Sequence, residues 1–500
     1  MSLAPTAGRP VRLLLLAAFA VGCAQPAGPA SPPPKRTQVL ATEWDDRAAG
    51  AEAEDDVVAQ LGLYRDSALE GYLGAVGQRV ALHAPGRFEY RFRIVDPWTP
   101  NAFALPGGAI FVSRGLLALT SSEDELACVL GHEITHASAR HSAAAQETEA
   151  RLSPLSLGFV RAAYMAAYQR DEERAADAGG QALCAAAGYD PRALPDFLRR
   201  LGGVERLERG AQRIPGFFDT HPGTTERLAI ADTRAAQLRY TAQPGVTGSA
   251  TGHLQRLDGL VVDEDPADGI FRGMRFLHPD LDFGMSFPEG WTLVNTPAEV
   301  GAMSPKRDAR IALQLDSEGN DPKAAADAFL AARAKEGPLE VTDARALSIG
   351  ALPAYQVRGR ASTPEGLLVG QITWIAHGGR IYRVSLAAPT IAAAGYEGRV
   401  QSATRSFRPL SGDERAAIEV SRLRIVRAGA GETLEALSER VANAWSLEET
   451  NVANGFVGSL RLTEGQPVKV ANREPYTTAG VGERAVQPGA AIPTPPTIGR

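Results

Sequence analysis

A chain of 500 residues with 44% hydrophobic content can bury several cores, and its length sets a prior of about three domains. A formal charge of −6 gives no reason to expect nucleic-acid binding. Cysteine is sparse, with only Cys23, Cys128 and Cys184.

At the N-terminus, Arg9 and Arg12 precede an apolar run from Leu13 to Val21. The run has signal-peptide length and is too short to span a membrane as a mature helix. It ends at Ala20-Val21-Gly22-Cys23, which resembles a bacterial lipoprotein cleavage site. Residues 1–22 therefore read as a signal peptide, and residues 23–40 as a lipidated, Pro-rich tether. Diacylation of Cys23 would anchor the chain to a membrane. Ala24 resembles the residue that follows the cysteine in lipoproteins of the outer membrane. An ordinary secreted protein cut nearby is the alternative reading.

The stretch from Ala102 to Val112 mixes apolar residues with Pro106-Gly107-Gly108 and reads as strand, turn, strand. Ser122 with Glu125 three residues later makes a capping box. Leu126, Val129, Leu130 and Ile134 then recur at helical spacing. This helix carries His132-Glu133-Ile134-Thr135-His136. Two histidines at i and i+4 share a helical face, about one turn apart. They can grip one metal ion, and the intervening Glu133 can reach a water on it. A third ligand must come from elsewhere, and Glu173, on a second helical stretch, is the candidate. Asp177 follows one turn later on the same face, placed to accept a hydrogen bond from the outer ring nitrogen of a zinc-bound histidine. Alone, such an acidic pair reads as a solvated helix face. Cys128 lies one turn before His132, and Cys184 beyond Glu173. Both read as small buried residues. Antiparallel packing of the two helices would bring them together, where an oxidising compartment could join them.

Four motifs together resemble the gluzincin peptidases of the CaaX-endopeptidase-like family, peptidase family M48, in their soluble bacterial periplasmic form. The first is Asn101-Ala102-Phe103-Ala104-Leu105-Pro106-Gly107-Gly108, with Ile110-Phe111-Val112 and Gly115-Leu116-Leu117 after it. The second runs from Glu125-Leu126 through the histidine motif to Arg140-His141-Ser142. The third is Glu173 to Asp177, and the fourth Thr220-His221-Pro222 with Glu226-Arg227. The resemblance implies a mainly helical catalytic domain with a small sheet over residues 41–240. It implies one zinc ion held by His132, His136 and Glu173. Zinc so bound keeps an open position, activates water and polarises a substrate carbonyl. Glu133 would take the water proton and pass it to the leaving amine. The edge strand Asn101, Ala102, Phe103 and Ala104 would hold an extended peptide. His221 is a candidate oxyanion donor. Its alternatives are a fourth zinc ligand in a closed resting form, and a surface-turn histidine. Arg227 would anchor this segment or contact substrate.

Residues 241–270 carry Gly, Asp and Pro and read as a linker. Beyond them, Arg310 to Leu315, Ala354 to Arg360, Leu367 to Ile375 and Arg380 to Leu386 alternate as strands do. Ala324 to Lys335 and Ile391 to Phe407 read as helices. Residues 271–411 are thus expected to form a small antiparallel α+β domain. No metal or nucleophile constellation stands out there, and His278 and His377 are scattered. Within residues 420–471, a helix to Val441, a second from Leu447 to Asn454 and a strand over Gly465–Val470 give a β-α-α-β order. With Gly431-Glu432-Thr433-Leu434 after the first strand, this resembles a LysM-like module, a type that binds glycan in envelope proteins. Asn443-Ala444-Trp445 departs from that pattern, and an accessory packing role is the alternative. Residues 473–500 read as a disordered tail.

The whole chain is expected to be α+β. The expected function is that of a zinc endopeptidase, lipid-anchored in the periplasm at the outer membrane. It would cut protein or peptide substrates of the cell envelope, in protein quality control. Two rivals remain. A non-catalytic envelope assembly factor or chaperone would have no use for Glu133. A peptidoglycan-directed hydrolase would need glycan binding by residues 420–471.

Overall fold

The computed structural model describes residues 43–86, 88–141, 170–207, 217, 221, 225–249, 251–297, 299–334, 339–363, 366–456 and 461–478. The segments expected to be signal peptide and tether, with Cys23, lie outside the described residues, as do Ser142, Thr220 and Pro222. The chain opens with helices α1 (Glu43–Leu61) and α2 (Ser67–Ala81). A three-stranded sheet follows, in the order β1-β3-β2. Strand β1 (Arg91–Val95) runs parallel to β3 (Ala109–Ser113), and β2 (Ala102–Ala104) pairs antiparallel with β3. The strand-turn-strand reading of 102–112 is met. Its turn needs Gly107 and Gly108, whose φ values of 82° and 94° suit a residue without Cβ. Strand β2 is the edge strand of this sheet.

A short helix α3 (Arg114–Leu119) leads into α4 (Glu123–Ser138), which carries the histidine motif. Ser122 Oγ caps α4 by accepting from the Glu125 amide at 3.2 Å. The expected capping box is only half made. The Glu125 carboxylate accepts instead from the Ser121 amide and from Arg200, because the buried guanidinium needs a partner. The helix Arg170–Ala186 packs antiparallel along α4. Glycines set their approach. A Cβ on Gly131 would lie 2.8 Å from Gly180 O, and one on Gly180 only 2.7 Å from the His132 amide nitrogen. On the same pair of helices Cys128 and Cys184 form a disulfide, with Cα atoms 5.0 Å apart. The apolar face of α2 (Leu69, Leu73, Val76) packs on α4 and shares one buried cluster with Leu126, Val129 and Leu130 of α4 and with Leu194 and Phe197 of the helix Ala193–Leu207.

The segment read as a linker is structured over much of its length. It contains the helix Gly252–Leu257 and strand β4 (Val261–Val262), which pairs with β15 (Glu419–Arg427). Its Gly, Asp and Pro content masks buried anchors, His253 and Leu257. Strands β5 (Ile270–Arg272), β6 (Arg275–His278) and β7 (Phe283–Ser286) form a small antiparallel sheet. Next comes a seven-stranded antiparallel sheet, ordered β11-β12-β13-β14-β10-β9-β8. The four expected strands are β10 (Arg310–Glu318), β12 (Leu352–Thr363), β13 (Gly366–His377) and β14 (Arg380–Pro389). Strands β8 (Thr292–Thr296), β9 (Glu299–Met303) and β11 (Leu339–Ile349) were not legible. Period-two alternation along β13 puts Trp374 and Ala376 in the cluster with the helix Pro322–Arg333. It puts Ile375 on the other face, with the helix Thr390–Arg405.

The β-α-α-β order is observed as β15, the helices Leu434–Arg440 and Leu447–Asn454, and β16 (Pro467–Pro475). Strands β15 and β16 pair from Arg427↔Pro467 to Glu419↔Pro475, so residues 473–475 are ladder rather than tail. Leu423, Trp445 and Ala471 of this unit belong to the same apolar cluster as α2 and α4. Among the described residues no helix is long and apolar enough to cross a membrane.

Candidate active site

Two helices and the separate residue His221 supply the site. Helix α4 presents His132, Glu133 and His136, the helix Arg170–Ala186 presents Glu173 and Asp177, and His221 approaches from the other side. All these side chains are buried. The Nε2 atoms of His132 and His136 lie 3.0 Å apart. His221 Nδ1 is 3.3 Å from His132 Nε2 and 2.9 Å from Glu173 Oε1. His136 Nε2 stands 3.2 Å from that same oxygen. Donors held tetrahedrally at the usual zinc distances of about 2.0–2.1 Å would lie roughly 3.3 Å from one another. Three histidine nitrogens and a carboxylate, all within 4.8 Å of one another, therefore fit one zinc ion.

The outer shell holds this set in place. Asp177 Oδ1 lies 3.1 Å from His132 Nδ1. Arg227 donates to both Asp177 oxygens, at 2.5 and 2.9 Å, and pairs with Glu173 at 2.6 Å. It also donates to the His221 carbonyl at 3.3 Å. Of the two roles expected for Arg227, the structure displays anchoring contacts. Burial opposes ionisation of Glu173, but the facing His221 and His136 outweigh it and hold the carboxyl far below the usual range. For Asp177, too, burial is outweighed by hydrogen bonds from His132 and Arg227, and the carboxyl is held down.

Glu133 is different. It is fully buried, its oxygens make no hydrogen bond among the described residues, and its nearest charged neighbour is His221 Nε2 at 3.7 Å. Burial pushes its carboxyl up, against the pull of His221 and His132. A carboxylate so placed is a proton acceptor beside the donor set. His221 Nε2 also lies 3.4 Å from the carbonyl of Ala102, so the histidine stands between the donor set and the edge strand. Ala102, Phe103 and Ala104 are buried on that strand and Asn101 is buried just before it, its backbone amide donating to Ser113 Oγ at 2.8 Å.

Sequence reasoning missed two neighbours. Phe217 stacks on the His221 ring at 4.3 Å, and its carbonyl accepts from the His221 amide at 2.7 Å. Its four-residue spacing from His221 was the available signal. His141, part of a recognised motif but given no role, has its Nδ1 3.0 Å from Nδ1 of His136.

A buried His-His-Glu donor set beside a glutamate on the same helix turn is the arrangement that metal-assisted peptide hydrolysis requires. Residues 67–235 match the model of Peptidase family M48. Over 221 residues the chain is 32% identical to the "Beta-barrel assembly-enhancing protease" of Yersinia pestis, covering 39% of this chain and 44% of that protein. The protein of the same name from Escherichia coli is 31% identical over 202 residues, covering 35% of this chain and 41% of that one. "Mitochondrial metalloendopeptidase OMA1" of Schizosaccharomyces pombe is 31% identical over 175 residues, covering 31% of this chain and 50% of that one. The chain thus spans half or less of the length of these relatives.

Proposed function

We propose that this chain is a zinc-dependent endopeptidase of the bacterial cell envelope that removes faulty envelope proteins. The observation that carries the reading is the convergence of His132, His136 and Glu173 beside the buried Glu133. The envelope assignment leans on the relatives named for β-barrel assembly, and on the lipoprotein-like Cys23. Periplasmic placement with a lipid anchor in the outer membrane completes the proposal.

Zinc, when bound, supplies Lewis acidity that lowers the pKa of water and polarises a peptide carbonyl. His132, His136 and Glu173 would hold it. Asp177 and Arg227 would fix the first ligands, with Asp177 Oδ1 3.1 Å from the outer ring nitrogen of His132 and Arg227 donating to Asp177. An extended peptide would lie along β2, where Ala102 to Ala104 offer main-chain groups. Glu133 would take the proton of the attacking water and deliver it to the leaving amine. His221 is a fourth donor in the resting arrangement and must swing aside for substrate.

Elemental analysis with a casein digestion assay tests this. One zinc per chain and chelator-sensitive cleavage are expected, with both lost when His132 and His136 are replaced by Ala. Full zinc occupancy in that double variant would overturn the ligand assignment. Fractionation tests the anchor: Cys23→Ala should move the protein out of the membrane fraction, and salt-resistant retention there would refute it.

A further inference from the structure

The donor set leaves one ring nitrogen of each zinc-motif histidine facing outward. For His132 that nitrogen meets Asp177. For His136 it meets another histidine. Nδ1 of His136 and Nδ1 of His141 are 3.0 Å apart, with the rings edge-on, centroids at 5.0 Å and planes at 73°. Five residues along a continuous helix are about 1.4 turns, which would point the two side chains apart. The chain solves this by leaving the helix. Helix α4 ends at Ser138, Ala139 caps it, and Arg140 takes a left-handed conformation with φ of 58°. Such a turn is a common helix end. It folds His141 back beneath His136. His141 is not itself one of the four converging donors.

We propose that His141 is a positioning residue for the metal ligand His136. The inference rests on the zinc reading above. Nε2 of His136 faces His132 and Glu173, so the neutral ring carries its proton on Nδ1. That Nδ1–H has His141 Nδ1 as its acceptor. Accepting it fixes both the tautomer and the orientation in which His136 Nε2 meets the ion. His141 therefore does for His136 what Asp177 does for His132, with a neutral acceptor in place of a carboxylate. Loss of such outer partners usually weakens metal binding by about 10–100-fold.

The test uses the full chain and zinc itself, titrated against a chelator of known affinity. His141→Ala should weaken zinc binding by about 10–100-fold. His141→Asn keeps an acceptor oxygen near the place of Nδ1 and should restore most of the loss. In the zinc-free state both variants should unfold at the wild-type temperature, which a merely structural role would not allow. Nitrogen-15 NMR of the zinc-loaded wild type should show His136 protonated at Nδ1. Wild-type zinc affinity in His141→Ala, or an Asn variant as weak as the Ala variant, would overturn this inference and leave the zinc reading standing. A wild-type chain that binds no zinc at all would overturn both.

Discussion

At the scale of single residues, Glu133 separates chemistry from binding most cleanly. It makes no hydrogen bond to the donor set and approaches it only at His221 Nε2, 3.7 Å away, so Glu133→Gln should leave zinc content unchanged. Losing the general base should cost about 10²–10⁴ in turnover. Near-normal peptide cleavage by this variant would refute the assigned role. His221 is the complementary case. Its Nδ1 sits in the donor set and its Nε2 faces Glu133 and the Ala102 carbonyl. As a fourth donor it fills the place that water needs, so His221→Ala should raise basal casein turnover. A fall on the order of 10²-fold or more would instead assign it to the oxyanion. Most of this site was legible in the sequence because helical periodicity converts spacing into a shared face: His132 with His136, and Glu173 with Asp177. His221 could be suspected but not given a role. Its distance from the zinc ligands is set by tertiary packing, not by local pattern.

At the scale of elements, the site depends on how closely two helices approach. Gly131 and Gly180 meet backbone to backbone, one residue before His132 and three after Asp177. Gly180→Ala would press a methyl to within 2.7 Å of the His132 amide nitrogen, so the helices must part. Overpacking of this kind costs typically about 1–3 kcal/mol. The expected outcome is a lower unfolding midpoint in urea and weaker zinc binding, measured together. Unchanged zinc affinity at lowered stability would mean that the ligands do not need this crossing. Nothing in the sequence marked these glycines, since a glycine within a helix reads only as a weak spot. The Cys128–Cys184 bridge was foreseeable only on the condition that the helices run antiparallel. Strands β8, β9 and β11 escaped notice because none alternates in burial: β8 is partly buried throughout, the three central residues of β9 are all buried, and β11 is mostly exposed. The helix Gly252–Leu257 was hidden by its turn-rich surroundings.

At the scale of the molecule, two buried groups bind the C-terminal half to the peptidase core. His253 joins Tyr72 at 2.8 Å and Thr120 at 2.9 Å. Burial, reinforced by the charge of Lys469 and opposed by Glu123, depresses its pKa to about 3. An unfolded histidine titrates near about 6.5, so below that pH the unfolded chain takes up the proton first. Stability should therefore fall as pH drops from about 6.5 toward 3, by roughly 1.4 kcal/mol per unit from this one group. His253→Gln, which does not titrate, should flatten the dependence in urea unfolding. A residual slope remains from His278, depressed likewise by burial and by Arg380. An unaltered slope would show that His253 is not buried neutral. Lys469 makes the second connection. The sequence presented it as an ordinary strand residue, yet its amine donates to the carbonyls of Ala118, Leu119 and Thr120 at 2.9–3.0 Å. Those carbonyls close α3 just before the helix that carries the histidine motif. Lys469→Met keeps the bulk but leaves three buried acceptors without that donor, at about 1–3 kcal/mol for each one left unsatisfied. If the β-α-α-β unit is part of the peptidase core, as its shared apolar cluster indicates, urea should unfold the full chain with α4 and this unit in one transition. The Lys469→Met variant should shift that transition and weaken zinc binding together. Independent melting of residues 419–475, with zinc affinity untouched, would instead describe a separate module tethered beside the enzyme.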